Sequence, residues 1–183
     1  PSLAAIRTGE FMVIATEDNT TVEITPAQMT ELGRQARKPF TVTLNKSECY
    51  LVKGKPTPLG TGDLSGSRVK ADKPVAMLSG HVRASIPTVE TNSKDHLVEM
   101  LPPVEVWNSE YVAQPFSVVR GTNLVRLIAG TDDVDVTVTT SKRTFSQKLA
   151  LAGDWVDITL DEPTYYASSK PFLAVQFMPS KQE

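Results

Sequence analysis

The sequence predicts an all-β chain of two tandem, duplicated β-sandwich-like units, residues 1–115 and a shorter 116–183, with one short helix near 26–37. Three observations predict it. Met12–Ile24, an apolar run followed by an acidic turn and an alternating stretch, is echoed by Val125–Val138. Lys73-Pro74-Val75-Ala76-Met77 returns, in the same order along the chain, as Lys170-Pro171-Phe172-Leu173-Ala174. Around these echoes, apolar residues alternate in short runs punctuated by Gly, Pro, Asn and Asp at the spacing of a sandwich. The offset is 114 residues from Ala15 to Ala129 but 97 from Pro74 to Pro171, so the second copy has 17 fewer residues between those points. A duplicated unit that buries its core by repeating strands is more often a scaffold or binding module than a catalyst.

The elements follow in order. Phe11–Ala15 is continuously apolar, Thr21–Thr25 places Val22 and Ile24 on one face, and Glu17-Asp18-Asn19 between them is turn chemistry, which together predict a hairpin. A second hairpin is predicted from Thr41–Leu44 and Cys49–Val52 around the connection Asn45–Glu48. The helix is read over Pro26–Arg37, where Ala27, Met29, Leu32 and Ala36 share part of a face and Thr25 can cap the start. Lys53–Gly66 is too rich in Gly and Pro for any regular element and reads as a long loop. Strands resume at Arg68–Val69 and Val75–Ser79. Leu97–Leu101 is extended, Pro102-Pro103 breaks it, and a further strand centres on Tyr111–Ala113. Gln114–Asn123 is the join between copies. Five strands follow: Leu124–Ala129, Val134–Thr139, Thr144–Leu149, Trp155–Leu160 and Phe172–Phe177.

Composition narrows the partners. With 19 basic against 21 acidic residues, a net charge of −2 and Arg34–Lys38 as the nearest thing to a basic cluster, no nucleic acid or anionic membrane is expected as a partner. No run of 18 apolar residues predicts membrane insertion. Cys49 is a lone cysteine, so no disulfide forms within the chain, and its alternating context suggests a buried thiol, a reactive or intermolecular one being the alternative. The opening Pro1, without a signal-peptide pattern, suggests a piece of a longer protein.

Five ordered blocks carry a resemblance: Ala15–Val22, Asp63–Val69, Asp72–Ala76, Ser79-Gly80-His81 and Asp95–Val104. Through them the chain resembles the family of IgGFc-binding protein N-terminal domains, and the weaker second copy extends the likeness to about residue 178. The resemblance implies an extracellular, non-enzymatic module of a long multidomain protein, secreted or at the cell surface, that works by binding or matrix assembly. Two departures stand out. Where family members often place cysteines, this chain has Val82-Arg83 and Ser93-Lys94, and it stops before a second Leu-Pro-Pro segment, so the second unit is read as borrowing strands from neighbouring sequence or a partner. Immunoglobulin binding does not transfer, because no short motif carries it.

The one grouping with site chemistry is His81, Asp95, His96 and Glu99, since imidazole and carboxylate can bind zinc or act as a general base. In an extended Asp95–Leu101, however, His96 and Glu99 face opposite ways, so structural hydrogen bonding is the favoured role and no metal or other cofactor is expected. Asp18, Asn19, Asp132, Asp133 and Asp135 have oxygen ligands suited to calcium but also the makings of plain turns. Asn19-Thr20-Thr21 and Asn45-Lys46-Ser47 make Asn19 and Asn45 candidate glycosylation sites. Trp107 reads as a core anchor, while Tyr165 and Tyr166 are candidate surface aromatics, one on each face of an extended chain. No nucleophile elbow, phosphate loop or cofactor fingerprint is present, which argues against an enzyme. The expected partners are other protein chains or neighbouring domains, with glycans, homo-oligomers and filaments in the same class. The alternative is a glycan- or metal-dependent ligand-binding domain centred on His81, Asp95 and His96.

Overall fold

Period-two alternation becomes fourteen strands in a computed structural model that describes residues 8–56, 62–87, 93–116 and 123–180. They are β1 Gly9–Ala15, β2 Thr20–Thr25, β3 Phe40–Leu44, β4 Cys49–Lys53, β5 Arg68–Ala71, β6 Val75–Ala84 and β7 Asp95–Met100. Then follow β8 Glu110–Ala113, β9 Asn123–Ala129, β10 Val134–Thr139, β11 Thr144–Leu149, β12 Trp155–Leu160, β13 Thr164–Ala167 and β14 Phe172–Phe177. The described residues form two compact units, the first holding those up to Ala84 together with His96–Pro102, the second holding Ser85–Asp95 and those from Pro103 on.

Each unit is a pair of facing antiparallel sheets. The first has the orders β4-β1-β6-β7 and β3-β2-β5; the second has β12-β9-β14 and β11-β10-β13-β8. Removing β7 from one and β8 from the other leaves the same six-strand pattern twice. The registers repeat as well: Val13 faces Tyr50 and Met77, and Leu127 faces Val156 and Ala174. Likewise Val22 faces Val42 and Ile24 faces Val69, as Val136 faces Gln147 and Val138 faces Tyr166. The strand Glu110–Ala113, which lies inside 1–115 in the sequence reading, pairs with β13 of the second unit.

These registers locate the shortening. The offset is 114 residues at Val13 and Leu127, 105 at Val42 and Gln147, 106 at Tyr50 and Val156, and 97 at Met77 and Ala174. The second copy is therefore nine residues shorter between its second and third strands and nine shorter between its fourth and fifth. In the first unit these two loops hold each other. Thr30 forms an isolated bridge with Gly54, Glu31 N–H donates to Lys53 O at 2.9 Å, and Lys55 N–H donates to Met29 O at 2.8 Å. Ala27 N–H donates to the Ser67 hydroxyl at 2.9 Å. Gly54 is obligatory here, because a Cβ on it would lie 2.2 Å from Gly62 O.

This lobe replaces the expected helix at 26–37. The backbone groups that a helix would satisfy internally are taken by the neighbouring loop and by tight turns, with Gly33 at φ 78° and Arg37 at φ 60°. Its apolar stripe never reaches a core, since Met29 is 41% and Leu32 77% exposed. The sole helical element among the described residues is a 3-10 turn at Val104–Val106, just past the Pro-Pro break.

Neither predicted hairpin forms. β1 and β2 lie in opposite sheets, as do β3 and β4, so Glu17–Asn19 and Asn45–Glu48 are corners that carry the chain across the sandwich. Alternation cannot separate these cases, because a strand entering either sheet shows one apolar face to the same core. That core in the first unit is Phe11, Val13, Ala15, Val22, Ile24, Leu44, Val52 and Leu64. In the second it includes Val125, Leu127, Val134, Val136, Val138, Leu160, Tyr166 and Phe172. At about 1.5–3 kcal/mol for each large aliphatic or aromatic side chain removed from water, such sets dominate what holds each unit together.

Candidate interaction surfaces

Corners bring the acidic turns and both sequons into use as structure. Asp18 Oδ1 accepts from Lys46 N–H at 3.0 Å, and in the second unit Asp132 Oδ1 accepts from Ala152 N–H at 2.8 Å. The Glu48 carboxylate caps Asn45 N–H at 2.7 Å, and the Asp154 carboxylate caps Leu151 N–H at 3.0 Å. Lys73 Nζ donates to Asp18 O at 2.5 Å and Lys170 Nζ to Asp132 O at 2.9 Å. Left-handed residues recur too, Asn19 at φ 53° with Asp133 at 55°, and Ser47 at 68° with Gly153 at 87°. Of the carboxylates considered for calcium, Asp18 and Asp132 are thus engaged by backbone N–H groups, the ordinary work of Asp in turns, and Asp133 lies 3.9 Å from Lys148 Nζ. Asn19 and Asn45 are both exposed, and Asn45 Oδ1 accepts from Asn19 N–H at 3.2 Å, which sets the two sequon asparagines side by side at one corner.

The His81 cluster lies along one sheet. His81 is in β6, where its Nδ1 accepts from Arg83 N–H at 2.9 Å. Asp95, His96 and Glu99 are in β7, an almost wholly exposed strand, and Glu99 Oε1 accepts from Met100 N–H at 3.0 Å. Among the described residues no group of three or more His, Cys, Asp or Glu side chains is arranged to hold a metal ion.

Two aromatic expectations and one thiol expectation change. Tyr166 is fully buried in the second core, between Val138 and Tyr111 across the sheet, and is not a surface aromatic. Even parity on β13 points it inward with Thr164, while Tyr165 points out and is 39% exposed. Burial pushes the Tyr166 phenol up to about 12, a shift that the Thr164 hydroxyl opposes without making a hydrogen bond of ordinary geometry. Trp107 is half-buried and covers Gly130, where a Cβ would lie 3.2 Å from its ring and 2.9 Å from Pro171 O. Cys49 is exposed rather than buried, because β4 is an edge strand and Cys49 sits on its outward face.

Three surfaces remain as candidates. The lobe of the first unit has a shallow pocket between Thr30, Leu32, Phe40 and Tyr50, with the Arg34 guanidinium 4.6 Å from the Phe40 ring centre. On the outward face of the second unit, Arg126 forms a bidentate pair with Asp157 at 2.7 and 2.9 Å and stacks 3.7 Å over Trp155. Sequence reasoning missed this stack; pairing Arg126 with Asp157 needs the β9–β12 register. The third surface is the sheet edges: β7 and β14 each end a sheet, one in each unit. The loops expected to reach a partner, Lys53–Gly66 and Val82–Lys94, and the join Gln114–Asn123 fall partly outside the described residues, at 57–61, 88–92 and 117–122.

Comparison with known proteins adds two findings. A family model described as IgGFc binding protein matches residues 2–183. A human protein named IgGFc-binding protein is 48% identical over 50 residues, which is 27% of this chain and 1% of that protein's length. No helix among the described residues is long and apolar enough to cross a membrane.

Proposed function

Because the chain belongs to the IgGFc binding protein family, we propose that it is a non-enzymatic, protein-binding module of a larger extracellular protein, acting as a structural or adhesive element. The observation that carries this reading is the six-strand sandwich built twice in the same register, with its polar side chains spent on the corners that hold the strands in place. Such a fold offers surfaces and edges rather than a deep cleft, and contact through them suits matrix, mucus or filament proteins. Neighbouring domains and other chains are the partners, homo-oligomers and glycans falling in the same class; Asn19 and Asn45 are exposed where a glycan could be attached.

The competing reading is a metal- or glycan-dependent site at His81, Asp95 and His96. Calorimetric titration with zinc and with calcium separates the two. The binding-module reading expects no heat and an unchanged melting temperature, and it expects the His81→Ala/His96→Ala chain to keep whatever self-association or Fc binding the natural chain shows by biolayer interferometry. Saturable heat with a rise in melting temperature, or loss of association with an intact circular dichroism spectrum, replaces it with the metal-site reading.

A further inference from the structure

The Arg34–Lys38 stretch, the nearest thing to a basic cluster in this chain, takes part in no ion pair among the described residues. It lies in the lobe of the first unit. Residues 26–40 and 50–56, which build the lobe and its base, carry Arg34, Arg37, Lys38, Lys53 and Lys55 against one carboxylate, Glu31, in a chain whose net charge is −2. All five cations are exposed. A local excess of one sign on a chain of the opposite sign draws anions to that place.

Arg34 is held at both ends. The N–H of Thr30, a buried residue, donates to Arg34 O at 3.0 Å, and the Thr30 hydroxyl accepts from Arg34 N–H at 3.0 Å. At the other end the guanidinium lies 4.6 Å from the Phe40 ring centre, and Phe40 meets Tyr50 at 6.1 Å with the rings tilted by 59°. Phe40 begins β3 and Tyr50 is in β4, so the cavity they line opens between the edge strands of the two facing sheets, with the Thr30–Arg34 turn as its wall. Leu32 and Leu51, both exposed, add apolar surface to it, and Lys53 lines it as well. The second unit keeps half of this arrangement. Arg143 lies 4.8 Å over Phe145, which holds the register position of Phe40, but Val156 stands for Tyr50 and the loop is only Thr140–Arg143. A guanidinium on this ring is thus common framework, while the second ring and the turn that walls the cavity are the first unit's own.

Size and chemistry select the occupant. The cavity measures about 170 Å³. That is below the roughly 300–1,000 Å³ of sites that enclose a whole small molecule. It is close to the roughly 150 Å³ that takes a benzene ring, so it suits one aromatic side chain. A sulfated polysaccharide or a free phosphate satisfies the cations but leaves the apolar floor unfilled. A guanidinium stacked on a ring presents its N–H fork to a carboxylate. We propose that this lobe is a docking site for an acidic peptide: one aromatic side chain enters between Leu32, Phe40 and Tyr50, and a neighbouring carboxylate pairs with Arg34. Arg37, Lys38 and Lys53 attract the rest of the negative segment. The inference rests on the binding-module reading and gives it a partner of stated chemistry. An aromatic anchor beside an arginine is the pairing that carries most energy in small interfaces, and a turn fixed before binding lowers the cost of ordering it.

The test uses the full chain and the fluorescein-labelled peptide Glu-Asp-Phe-Asp-Glu, with binding followed by anisotropy at low salt. Saturable one-to-one binding is expected. Replacing the peptide's Phe by Ala, or all its acids by their amides, should weaken binding about tenfold or more. In the chain, Arg34→Gln should also weaken it about tenfold or more, whereas Arg143→Gln, the same change over Phe145 of the second unit, should alter it less than about twofold. If the Arg34 variant does not fold by circular dichroism, the three peptides decide. No saturation up to about 1 mM overturns the proposal. Equal affinity for the Phe and Ala peptides reduces the lobe to a cationic surface and overturns it too, as does equal affinity for the acidic and amide peptides or an equal loss in the two arginine variants. A chain that is indifferent to zinc and calcium and also ignores the peptide keeps the binding-module reading and loses only this partner.

Discussion

Two residues show how closely local chemistry is tied to the neighbouring strand. Tyr166 buries its hydroxyl without a hydrogen bond of ordinary geometry, so Tyr166→Phe should change stability by less than about 1 kcal/mol in denaturant titration, an unusually small effect for so central a residue. The same phenol makes an alkaline signature. Its pKa is raised in the folded state from 10.0 to about 12, so the folded chain holds a proton that the unfolded chain releases. That contribution is complete below pH 10 and is lost as pH rises toward 12; urea midpoints measured across this window should fall less steeply for Tyr166→Phe than for the natural chain. Gly80 is constrained from outside its own strand: a Cβ there would lie 2.3 Å from Leu97 O. Gly80→Ala should cost about 1–3 kcal/mol and speed hydrogen exchange in β7 before any other strand. At the matching position stands Phe177, on a strand with no further strand beside it among the described residues, so the constraint on Gly80 comes from β7.

Strands and loops divide in what the sequence made legible. The all-β class and most of the strands were readable, because side-chain period and turn residues are local signals, although the short β13 at Thr164–Ala167 was not among the strands expected. Sheet membership was not. Glu17–Asn19 and Asn45–Glu48 have the composition of hairpin turns, and only the pairing of β1 with β4 and β6 shows that they cross between sheets. The helix at 26–37 failed because its four apolar residues lacked a core to face, and the neighbouring loop offered its backbone better partners. The His81 grouping was legible as residues on extended chain, but the sequence placed Glu110–Ala113 in the first half, and only its pairing with β13 assigns it to the second unit. The lobe gives an element-level prediction. Replacing the loop between β2 and β3 by the four residues Thr140–Arg143, and trimming the loop between β4 and β5 by nine residues, should be milder together than the sum of the two changes alone. Each single change strands the hydrogen bonds of Glu31, Lys55 and the Thr30–Gly54 bridge, and thermal melts of the three variants measure the difference.

Across the whole molecule, each unit has a core of its own, so damage should stay local. Leu127→Ala, at a fully buried position on the central strand of the second unit, should cost about 2–5 kcal/mol there. Hydrogen exchange should then quicken across β9–β14 while β1, β2 and β6 keep their protection; uniform loss through both units would show that they unfold as one. The segment between the cores deals one strand to each: β7 completes the sheet of β6, and β8 completes the sheet of β13.

The paired loops of the first unit have a use beyond their own lobe. Because the second unit keeps the same strand register after losing nine residues at both places, its corresponding end is bare framework that already tolerates the absence of decoration. Foreign sequences grafted there as a matched pair, one between β10 and β11 and one between β12 and β13, would be presented side by side on a rigid platform, which makes this end of the sandwich a natural place for display engineering.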